Sequence, residues 1–449
     1  MSKPRRRRRK ARLPEELVEA DITALSAEGR GIAHVDGRTV FVDQALPGER
    51  VKFQYTRITE KLAEARTTEI VSGASADRVS PQCAVFELCG GCSLQHMSAQ
   101  AQITLKQNTL LELLQHVGKV KPQEILAPLT GPQWRYRHKA RLGVRYVPKK
   151  QKVLVGFRER NSSFITDTKR CEILHASVGD LLEPLAQCIH GMALREQIPQ
   201  IEVAIGDAQT VLVFRHLADM TGADRDILSA FCQQHNLVAW LQPGKPDALE
   251  PLWPEAPETL FYELPEFGVR IEFEPADFTQ INTEINRSML HRVIELLQPE
   301  PENHVLDLFC GLGNFSLPLA KHCQQVTAVE GSGEMVRKAR ANADRNHIDN
   351  IEFIHANLYD EALFAAPWMQ KKYQRILLDP PRSGALEILP HLKKMQASRI
   401  VYVSCHPATL ARDAGVLVNE LGYECVAAGV MDMFPHTAHV ESIAVFLKQ

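Results

Sequence analysis

Two side chains near the end of the sequence are of types that can carry out covalent chemistry together. Cys405 follows the strand-like apolar run of RIVYVSCHPATLARD, and Glu441 lies in FPHTAHVES, after His436 and His439. A thiol can add to an electron-poor carbon, and a carboxylate can then remove a proton from the adduct. A buried cysteine is by default structural, so Cys405 taken alone does not establish this chemistry.

A ligand site is indicated by HVLDLFCGLGNFSLPLA, which predicts a buried strand, a glycine-rich turn and a helix. Gly311 and Gly313 leave room for a ligand near the backbone, and the helix start offers amide N–H groups. Ser316 replaces the third glycine of a dinucleotide fingerprint, which argues against a nicotinamide nucleotide. Glu330 and Asp379 each end a later strand, where carboxylates can bind a ribose or another ligand. The pattern therefore favours a nucleoside site.

Three cysteines lie close together in PQCAVFELCGGCSLQH, where Cys83, Cys89 and Cys92 have the spacing C-x5-C-x2-C. Three thiolates can hold one metal centre, but a tetrahedral zinc or a cubane cluster needs a fourth ligand. Cys171 in KRCEIL is the best remaining candidate. Zinc, an iron–sulfur cluster and a redox dithiol all remain open on spacing alone.

Positive charge is concentrated in two segments. Residues 125–158 contain nine lysines and arginines and no acid, with Trp134, Tyr136 and Tyr146 among them. Cations for phosphate and rings for unstacked bases are typical of single-stranded RNA binding, although a charged edge strand would look similar. Alternation predicts four cations on one strand face: Arg135, Arg137, Lys139 and Arg141. Residues 3–12 carry eight positive charges, which predicts a disordered arm that meets phosphate or merely aids solubility.

The elements that must hold these residues change in type along the chain. Residues 15–72 show short strands separated by turns, which predicts a small barrel. A helix is predicted over 99–117, and the five prolines of 241–260 indicate a linker or long loop. From about residue 275, strands alternate with helices such as 332–346, which predicts a parallel sheet covered on both faces.

Length and composition limit the class of protein. A chain of 449 residues predicts two to four domains. No apolar run reaches the ~18 residues that span a bilayer, so we expect no membrane segment. We expect a cytoplasmic protein, in which the ten cysteines are reduced or bind metal.

These motifs together resemble known families. GRGIAHVDGRTVFV followed by LPGERV is similar to the TRAM domain. The pattern D-x-F-x-G-x-G with an acidic second strand resembles the class I methyltransferase fold, a Rossmann-like α/β fold. DPPR, SCHPATLARD and FPHTAHVES, in this order, resemble the bacterial RNA 5-methyluridine methyltransferases, with matches from Gln280 to Glu441. One position departs from that family, because His406 stands where asparagine usually follows the nucleophile.

The resemblance implies a mechanism and a set of contacts. Cys405 would add to carbon 6 of a uridine, carbon 5 would accept the methyl group of S-adenosyl-L-methionine, and Glu441 would remove the carbon 5 hydrogen. The implied cofactor contacts are Gln280, Phe309, Asn314 and Asn357. They add to Glu330 and Asp379, the two acids named above. The resemblance also implies a [4Fe–4S] cluster on Cys83, Cys89, Cys92 and Cys171.

The implied organisation has four parts. A basic tail over residues 1–14 precedes an OB-like TRAM β-barrel over 15–74. A mixed α+β domain over 75–270 would hold the cluster and RNA, with helix 99–117 packed on the catalytic domain, and residues 271–449 would form that catalytic domain. A barrel combined with a cluster most resembles the branch that modifies 23S ribosomal RNA. We therefore expect a monomer that acts on 23S ribosomal RNA.

Three alternatives remain open. The same chemistry could act on tRNA or on another ribosomal RNA uridine. The chain could also be a non-catalytic RNA-binding assembly factor with a degenerate methyltransferase domain. An iron–sulfur redox enzyme is the third alternative, and it would need an electron-transfer partner.

Overall fold

Two compact units make up the part of the chain that the structure describes. The structure is a computed structural model, and it describes residues 13–244, 248–360 and 366–449. The first unit contains residues 13–81, Cys92–Leu105 and His436–Ala438, and the second contains the remaining described residues. The predicted basic tail lies outside the described residues except for its last two positions. Within the described ranges, no helix is long and apolar enough to cross a membrane.

The first unit is built on a six-stranded sheet. Its strands are β1 (Val18–Asp21), β2 (Ala24–Leu25), β3 (Gly31–Val35), β4 (Arg38–Asp43), β5 (Arg50–Ile58) and β6 (Leu62–Ser72). The sheet order is β1-β5-β6-β4-β3-β2, so β1 and β2 form opposite edges although only Ile22 and Thr23 separate them in sequence. The sheet must therefore curl until its edges meet, and the predicted small barrel is confirmed. Val40, Val51 and Phe53 are fully buried inside it.

One helix crosses the boundary between the two units in sequence, at Leu105. Helix α1 (Ala99–Leu113) ends in a π-helical turn, Leu114–Gly118, and Lys119 then adopts the left-handed conformation. The predicted helix over 99–117 is thus present, with its last turn widened. Gly118 approaches the helix Pro407–Asn419 so closely that a Cβ atom there would lie 2.3 Å from the carbonyl oxygen of Ala411.

A mixed sheet occupies the middle of the second unit, in the order β13-β12-β11-β10-β8-β9. Its strands are β8 (Lys139–Val147), β9 (Lys152–Gly156), β10 (Gln200–Ile205), β11 (Thr210–His216), β12 (Val238–Pro243) and β13 (Glu250–Trp253). The helices of this part are α2 (Ala176–Gly179), α3 (Leu182–His190) and α4 (Gly222–Gln234), and a 3-10 turn forms at Pro148–Lys150. Leu185, Ile189 and Leu228 bury an apolar face against the sheet.

The proline-rich stretch 241–260 was predicted to be a linker or long loop, and that prediction is partly wrong. β12 extends into it, and β13 pairs antiparallel with β12 at the edge of the sheet. An edge strand tolerates Pro251 because one side of its backbone needs no ladder hydrogen bond. A two-stranded hairpin follows, formed by β14 (Leu260–Leu264) and β15 (Val269–Phe273) around the 3-10 turn Pro265–Phe267.

The last part of the second unit is an eight-stranded sheet in the order β18-β17-β16-β19-β20-β22-β21-β7. Its strands are β7 (Glu124–Ile125), β16 (His304–Leu308), β17 (Gln325–Glu330), β18 (Ile351–His355), β19 (Arg375–Leu378), β20 (Arg399–Ser404), β21 (Tyr423–Met431) and β22 (Glu441–Lys448). The accompanying helices are α5 (Thr283–Leu297), α6 (Ser316–Ala320), α7 (Gly333–Arg345), α8 (Leu389–Met395) and α9 (Pro407–Asn419), with a 3-10 turn at Pro367–Gln370. The pairs from β18 to β20 are parallel, as the alternating pattern predicted, whereas β22 runs antiparallel to both neighbours.

The close approach at Gly118 gives a stability prediction. Gly118→Ala should lower the free energy of unfolding by about 1–3 kcal/mol, because the new Cβ must push two backbones apart. Gly222→Ala is the matched control, since a Cβ there meets nothing within 4 Å and the position opens helix α4. Urea unfolding of both variants measures the difference. Equal stability of the two variants would contradict the packing described here.

Candidate active site

The direction of the strands brings the chemically active residues to one edge of the sheet. Asp379 and Cys405 directly follow the parallel strands β19 and β20, so they lie at the same edge. Glu441 is the first residue of β22, which runs the opposite way and pairs Ser442 with Ser404. The start of β22 therefore lies beside the end of β20. This antiparallel pairing brings together the nucleophile and the base that the sequence predicted.

The glycine-rich turn after β16 has an open side and a packed side. Gly311 has a φ of +55°, and a Cβ there would meet nothing within 4 Å. Gly313 has a φ of +89°, and its Cβ would lie 2.2 Å from Leu317, so glycine lets helix α6 pack closely. Phe309 also has a positive φ of 70°, and its ring centroid is 6.2 Å from that of Tyr359. The open backbone at Gly311 is what a bound nucleoside requires.

Glu330 lies where the sequence predicted a ribose-binding carboxylate. One of its oxygens accepts the Gly311 N–H at 3.1 Å, and the other accepts the Ser332 N–H at 2.9 Å. These bonds fix the carboxylate against the glycine turn, and each oxygen keeps a further lone pair. The side chain is therefore oriented and still able to accept hydrogen bonds.

The other implied cofactor contacts differ in their surroundings. The Asn314 carboxamide bonds within the protein, since its oxygen accepts from Tyr262 and Asn286 and its nitrogen donates to Asn286 at 2.9 Å. Asn357 is exposed after β18, and its side-chain oxygen accepts the Tyr359 N–H at 3.2 Å. Gln280 is half-buried in the loop between β15 and α5. A contact between Asn314 and a cofactor would have to use its remaining amide hydrogen or its backbone.

Cys405 is a half-buried thiol beside two acids. Burial raises its pKa to about 11, and the nearby Glu441 and Asp379 carboxyls add to that shift. The guanidinium of Arg382 acts in the opposite direction. A nucleophile must be a thiolate, so the free protein holds Cys405 in its unreactive form.

A group of three carboxyls extends from Glu441 towards the glycine turn, buried at Glu441 and Asp307 and half-buried at Asp379. Burial raises the pKa of Glu441 well above its ordinary value, and Asp379 adds to the shift. Burial also raises the pKa of Asp379 to about 7 with help from Asp307, and that of Asp307 to about 7 despite a hydrogen bond from Ser316. One Asp307 oxygen is buried without a hydrogen-bond partner in the described structure. A positive charge bound beside these carboxyls would favour their ionised forms.

His406, the residue that departs from the family pattern, begins a helix. Its Nδ1 accepts the Thr409 N–H at 3.4 Å and so caps α9, with Pro407 as the first helical residue. Asparagine is also a preferred cap, so the exchange preserves this hydrogen bond. Burial lowers the pKa of His406, and Arg382 and Arg412 lower it further. A neutral His406 therefore holds the start of α9 directly after Cys405.

Sequence reasoning missed a buried ion pair near the proposed base. Lys106 of α1 and Asp432 after β21 are 1% and 2% exposed, and Nζ lies 2.6 Å from the carboxylate. Lys106 Nζ also donates to the Phe434 carbonyl at 3.0 Å. The signal was available, because Lys106 lies on the same helical face as Ile103 and Leu110. A lysine on an apolar face needs a buried partner.

The predicted basic strand face is wrong in part. β8 begins at Lys139, so Arg135 and Arg137 precede the strand. Lys139 donates to the carbonyls of Pro275 and Asp277, while Arg135 and Arg141 lie in ion pairs with acids. Of the interleaved aromatic residues, Tyr136 is 3% exposed and donates to the Pro435 carbonyl. Lys139 and Tyr136 are engaged inside the protein and contribute less to an RNA surface than alternation suggested, whereas Arg141 stays exposed in a surface ion pair.

Lys139 nevertheless contributes to the site by fixing the loop that leads to Gln280. Lys338 of α7 holds the same loop from another side, with Nζ 2.7 Å from Asp277 and 3.0 Å from Glu274. Asp277 is 7% exposed, and its carboxylate accepts the Glu274 N–H at 2.7 Å. Two lysines thus set the path of the backbone before Gln280.

Three of the four predicted metal ligands belong to the second unit, and Cys92 belongs to the first. Burial raises the pKa of Cys171 to about 11, and Cys89 and Cys83 are near enough to add to the shift. The Gly91 N–H donates to the Cys89 sulfur at 3.4 Å. The chain packs closely at Gly90, where a Cβ would lie 3.0 Å from the Arg158 carbonyl oxygen.

Comparison with known proteins agrees with this architecture. Residues 268–449 match the family described as tRNA (Uracil-5-)-methyltransferase, and residues 13–68 match the TRAM domain. The fold is similar to that of the Pyrococcus abyssi tRNA (uracil-54, C5)-methyltransferase in complex with S-adenosyl-L-homocysteine, with a TM-score of 0.73. That likeness covers 96% of this chain and all of the other at 21% identity. The fold is therefore that of an S-adenosylmethionine-dependent methyltransferase.

Two curated relatives are similar over their whole length. Both are named 23S rRNA (uracil(1939)-C(5))-methyltransferase RlmD. The protein of Alkalilimnicola ehrlichii is 52% identical over 444 residues, which cover 98% of this chain and 99% of that one. The protein of Methylococcus capsulatus is 52% identical over 434 residues, which cover 97% and 98%. The chain belongs to this family of uracil-C5 methyltransferases with a TRAM domain.

The cap at His406 gives a prediction about pH. Because its folded pKa is lowered, the unfolded chain takes up a proton near pH 6.5 while the folded chain resists it. The free energy of unfolding should therefore decrease as the pH falls through about 6.5. His406→Asn keeps the cap and cannot titrate, so its stability should decrease less over the same range. His406→Ala should be about 1 kcal/mol less stable than the unmutated protein at pH 8.

Chemical unfolding from about pH 8 to about pH 5 measures these differences. Parallel pH curves for the unmutated protein and His406→Asn would contradict the assigned role of His406.

Proposed function

We propose that the protein methylates carbon 5 of a uridine in 23S ribosomal RNA, with Cys405 as nucleophile and Glu441 as base. The observation that carries the proposal is the antiparallel pairing of β20 with β22, which joins the ends of two distant motifs. The names of the relatives favour the position equivalent to uridine 1939. Because ribosomal RNA is the proposed substrate, we also propose that the protein acts in the cytoplasm.

The need for a thiol follows from the chemistry of the base. Carbon 5 of uracil is a poor nucleophile, and addition of the Cys405 thiolate to carbon 6 turns it into an enolate equivalent. S-adenosylmethionine, when bound, supplies an electrophilic methyl group for that carbon. Glu441 then removes the carbon 5 hydrogen, the electrons restore the double bond, and the Cys405 thiolate leaves carbon 6.

The charged side chains near Cys405 and Glu441 affect whether these two groups can react. With the carboxyls protonated, as their raised pKa values favour, less negative charge opposes the Cys405 thiolate. Glu441 needs its ionised form to accept the carbon 5 proton, so it must lose its own proton before that step. Arg382 is the cation that favours the thiolate. Glu330, Asp379 and the Gly311 backbone are the groups proposed to orient the cofactor, together with Gln280, Phe309, Asn314 and Asn357.

We also propose that Cys83, Cys89, Cys92 and Cys171 hold a [4Fe–4S] cluster. Support comes from the proximity of three thiols, from the N–H···S bond to Cys89 and from the close packing at Gly90 and Gly91. The inclusion of Cys92 rests on its C-x2-C spacing from Cys89. A cluster there, when bound, would cross-link the loop at Cys89 to the segment at Cys171.

Two substitutions test the covalent mechanism with opposite results. Cys405→Ala should reduce methyl transfer to 23S ribosomal RNA by about a thousandfold or more and keep cofactor binding, since it removes the nucleophile. Glu441→Gln should still add to the uridine and then stall before elimination, which leaves RNA attached to protein. Methyl transfer and a denaturing gel of radiolabelled RNA, followed by peptide mapping, measure both.

Cys425→Ala is the control, because Cys425 is buried in β21 of the same sheet and lies outside the site. It should turn over normally. A crosslink at a cysteine other than Cys405 would refute the nucleophile. Methylation of tRNA and not of 23S ribosomal RNA would show that tRNA is the substrate. RNA binding without any methyl transfer would favour a non-catalytic assembly factor.

The cluster has its own test. Anaerobically purified protein should contain about four iron and four sulfide per chain. Cys89→Ala should lose the metal and destabilise the surrounding loops, because binding energy at such sites is folding energy. Cys188→Ala, which removes a half-buried cysteine of helix α3, should keep the metal. Stoichiometric zinc without sulfide in the unmutated protein would contradict the cluster.

A further inference from the structure

A short hairpin lies next to the cysteine loop and has a defined backbone. In residues 158–165, Arg158 and Ile165 form an antiparallel bridge, and the Glu159 N–H donates to the Phe164 carbonyl at 2.9 Å. Asn161 turns the chain with a φ of +52°, a conformation that asparagine tolerates well. We call residues 158–165 the 158–165 hairpin.

The 158–165 hairpin is fixed to the loop that carries Cys89. The Gly90 N–H donates to the Arg158 carbonyl, and the Arg160 N–H donates to the Leu88 carbonyl, both at 2.8 Å. The Arg160 guanidinium donates to the carbonyls of Cys89 and Phe86 at 3.1 and 3.0 Å and lies over the Phe86 ring. These bonds fix the first strand of the hairpin, and the bridge from Arg158 to Ile165 ties the second strand to it.

This rigid support presents an aromatic ring to solvent. Phe164 is 71% exposed, the highest value among the large apolar side chains of the described residues. Leu88, on the adjoining segment, is 49% exposed. An exposed phenylalanine gains nothing for folding, and a ring on a fixed backbone loses little entropy when it binds. The side chain is therefore suited to contact a partner.

The charge around the hairpin indicates which partner. Residues 148–170 contain seven lysines and arginines and two acids, in a chain whose net charge is −2. Asp167 pairs with Lys150 and Lys152, and Arg160 faces inward. Arg158 and Lys149 are exposed, and neither forms an ion pair with an acid within the described ranges. A ring among cations fits a polyanion with flat bases.

We propose that the 158–165 hairpin binds a single-stranded segment of the RNA substrate, with Phe164 stacked on an unpaired base and Arg158 and Lys149 near phosphates. The proposal rests on the function proposed above, and it assigns the RNA contact to a place distinct from Cys405. A protein partner fits less well, because exposed cations in place of further apolar side chains surround Phe164 and Leu88. Basic residues of the stretch 125–158 can bind RNA only where their side chains face solvent. Lys139 does not, because its Nζ donates to backbone carbonyls of the protein.

The test uses the full metal-containing protein and an unmodified 23S ribosomal RNA transcript. Phe164→Ala should raise the dissociation constant and KM for RNA by about 5- to 100-fold, the value of one stacked base, and leave kcat unchanged. Phe164→Trp should restore binding. Arg158→Gln should lower the slope of log affinity against log salt by about one.

Two controls separate a contact from a loss of structure. Leu217→Ala removes another exposed apolar side chain, 56% exposed, and should leave RNA affinity unchanged. Iron content and S-adenosylmethionine affinity of Phe164→Ala should equal those of the unmutated protein. A loss of either with the RNA affinity would overturn the proposal in favour of a structural role.

The remaining outcomes distinguish this inference from the proposed function. Normal RNA affinity and KM in Phe164→Ala, with methyl transfer intact, would overturn the surface and leave the function standing. Normal RNA affinity together with lost binding of a ribosomal protein would assign the surface to that protein. Weakened RNA binding in Phe164→Ala, in a protein whose unmutated form transfers no methyl, would support the surface and refute the function.

Discussion

The active site depends on the reversal of one strand. β22 lies between β20 and β21 and runs against both of them. In a wholly parallel sheet the first residue of a strand lies at the edge away from the strand ends, so Glu441 would be a sheet height from Cys405. The reversed strand brings Glu441 to the edge where Asp379 and Cys405 already lie, and the proposed covalent mechanism needs that arrangement.

The burial of ionisable side chains is the second constraint on the structure. It differs between the carboxyls of the proposed active site and the pair formed by Lys106 and Asp432. Asp307 and Glu441 are buried, and Asp379 between them in this group is half-buried. In the described ranges no ion pair joins any of the three to a cation, and burial raises their pKa values. Behind the loop that leads to Glu441, Lys106 and Asp432 are buried as a pair. A complete pair orders a backbone, whereas unpaired acids leave a requirement for positive charge that a ligand can meet.

The lysines and arginines show how far the charge along a sequence can predict an RNA-binding surface. The acid-free stretch 125–158 indicated an RNA surface, yet Lys139 fixes the loop before Gln280, and Arg135 and Arg141 pair with acids. The acids that neutralise them, such as Asp180 and Glu202, are distant in sequence. Charge counted along the chain could not reveal these pairs, because opposite charges meet only through the pairing of strands and loops.

The sequence by itself determined most of the local elements, and it predicted which side chains are proposed to react. Short strands separated by turns predicted the barrel, and strands that alternate with helices predicted the parallel sheet. The motifs around Gly311, Asp379, Cys405 and Glu441 predicted the chemistry. Short-range pattern and residue type were enough for these predictions. The tertiary structure decided which groups meet and which are buried. Those properties depend on strand order and direction, and they decide that Lys106 faces inward, that His406 caps a helix and that Phe164 stays exposed.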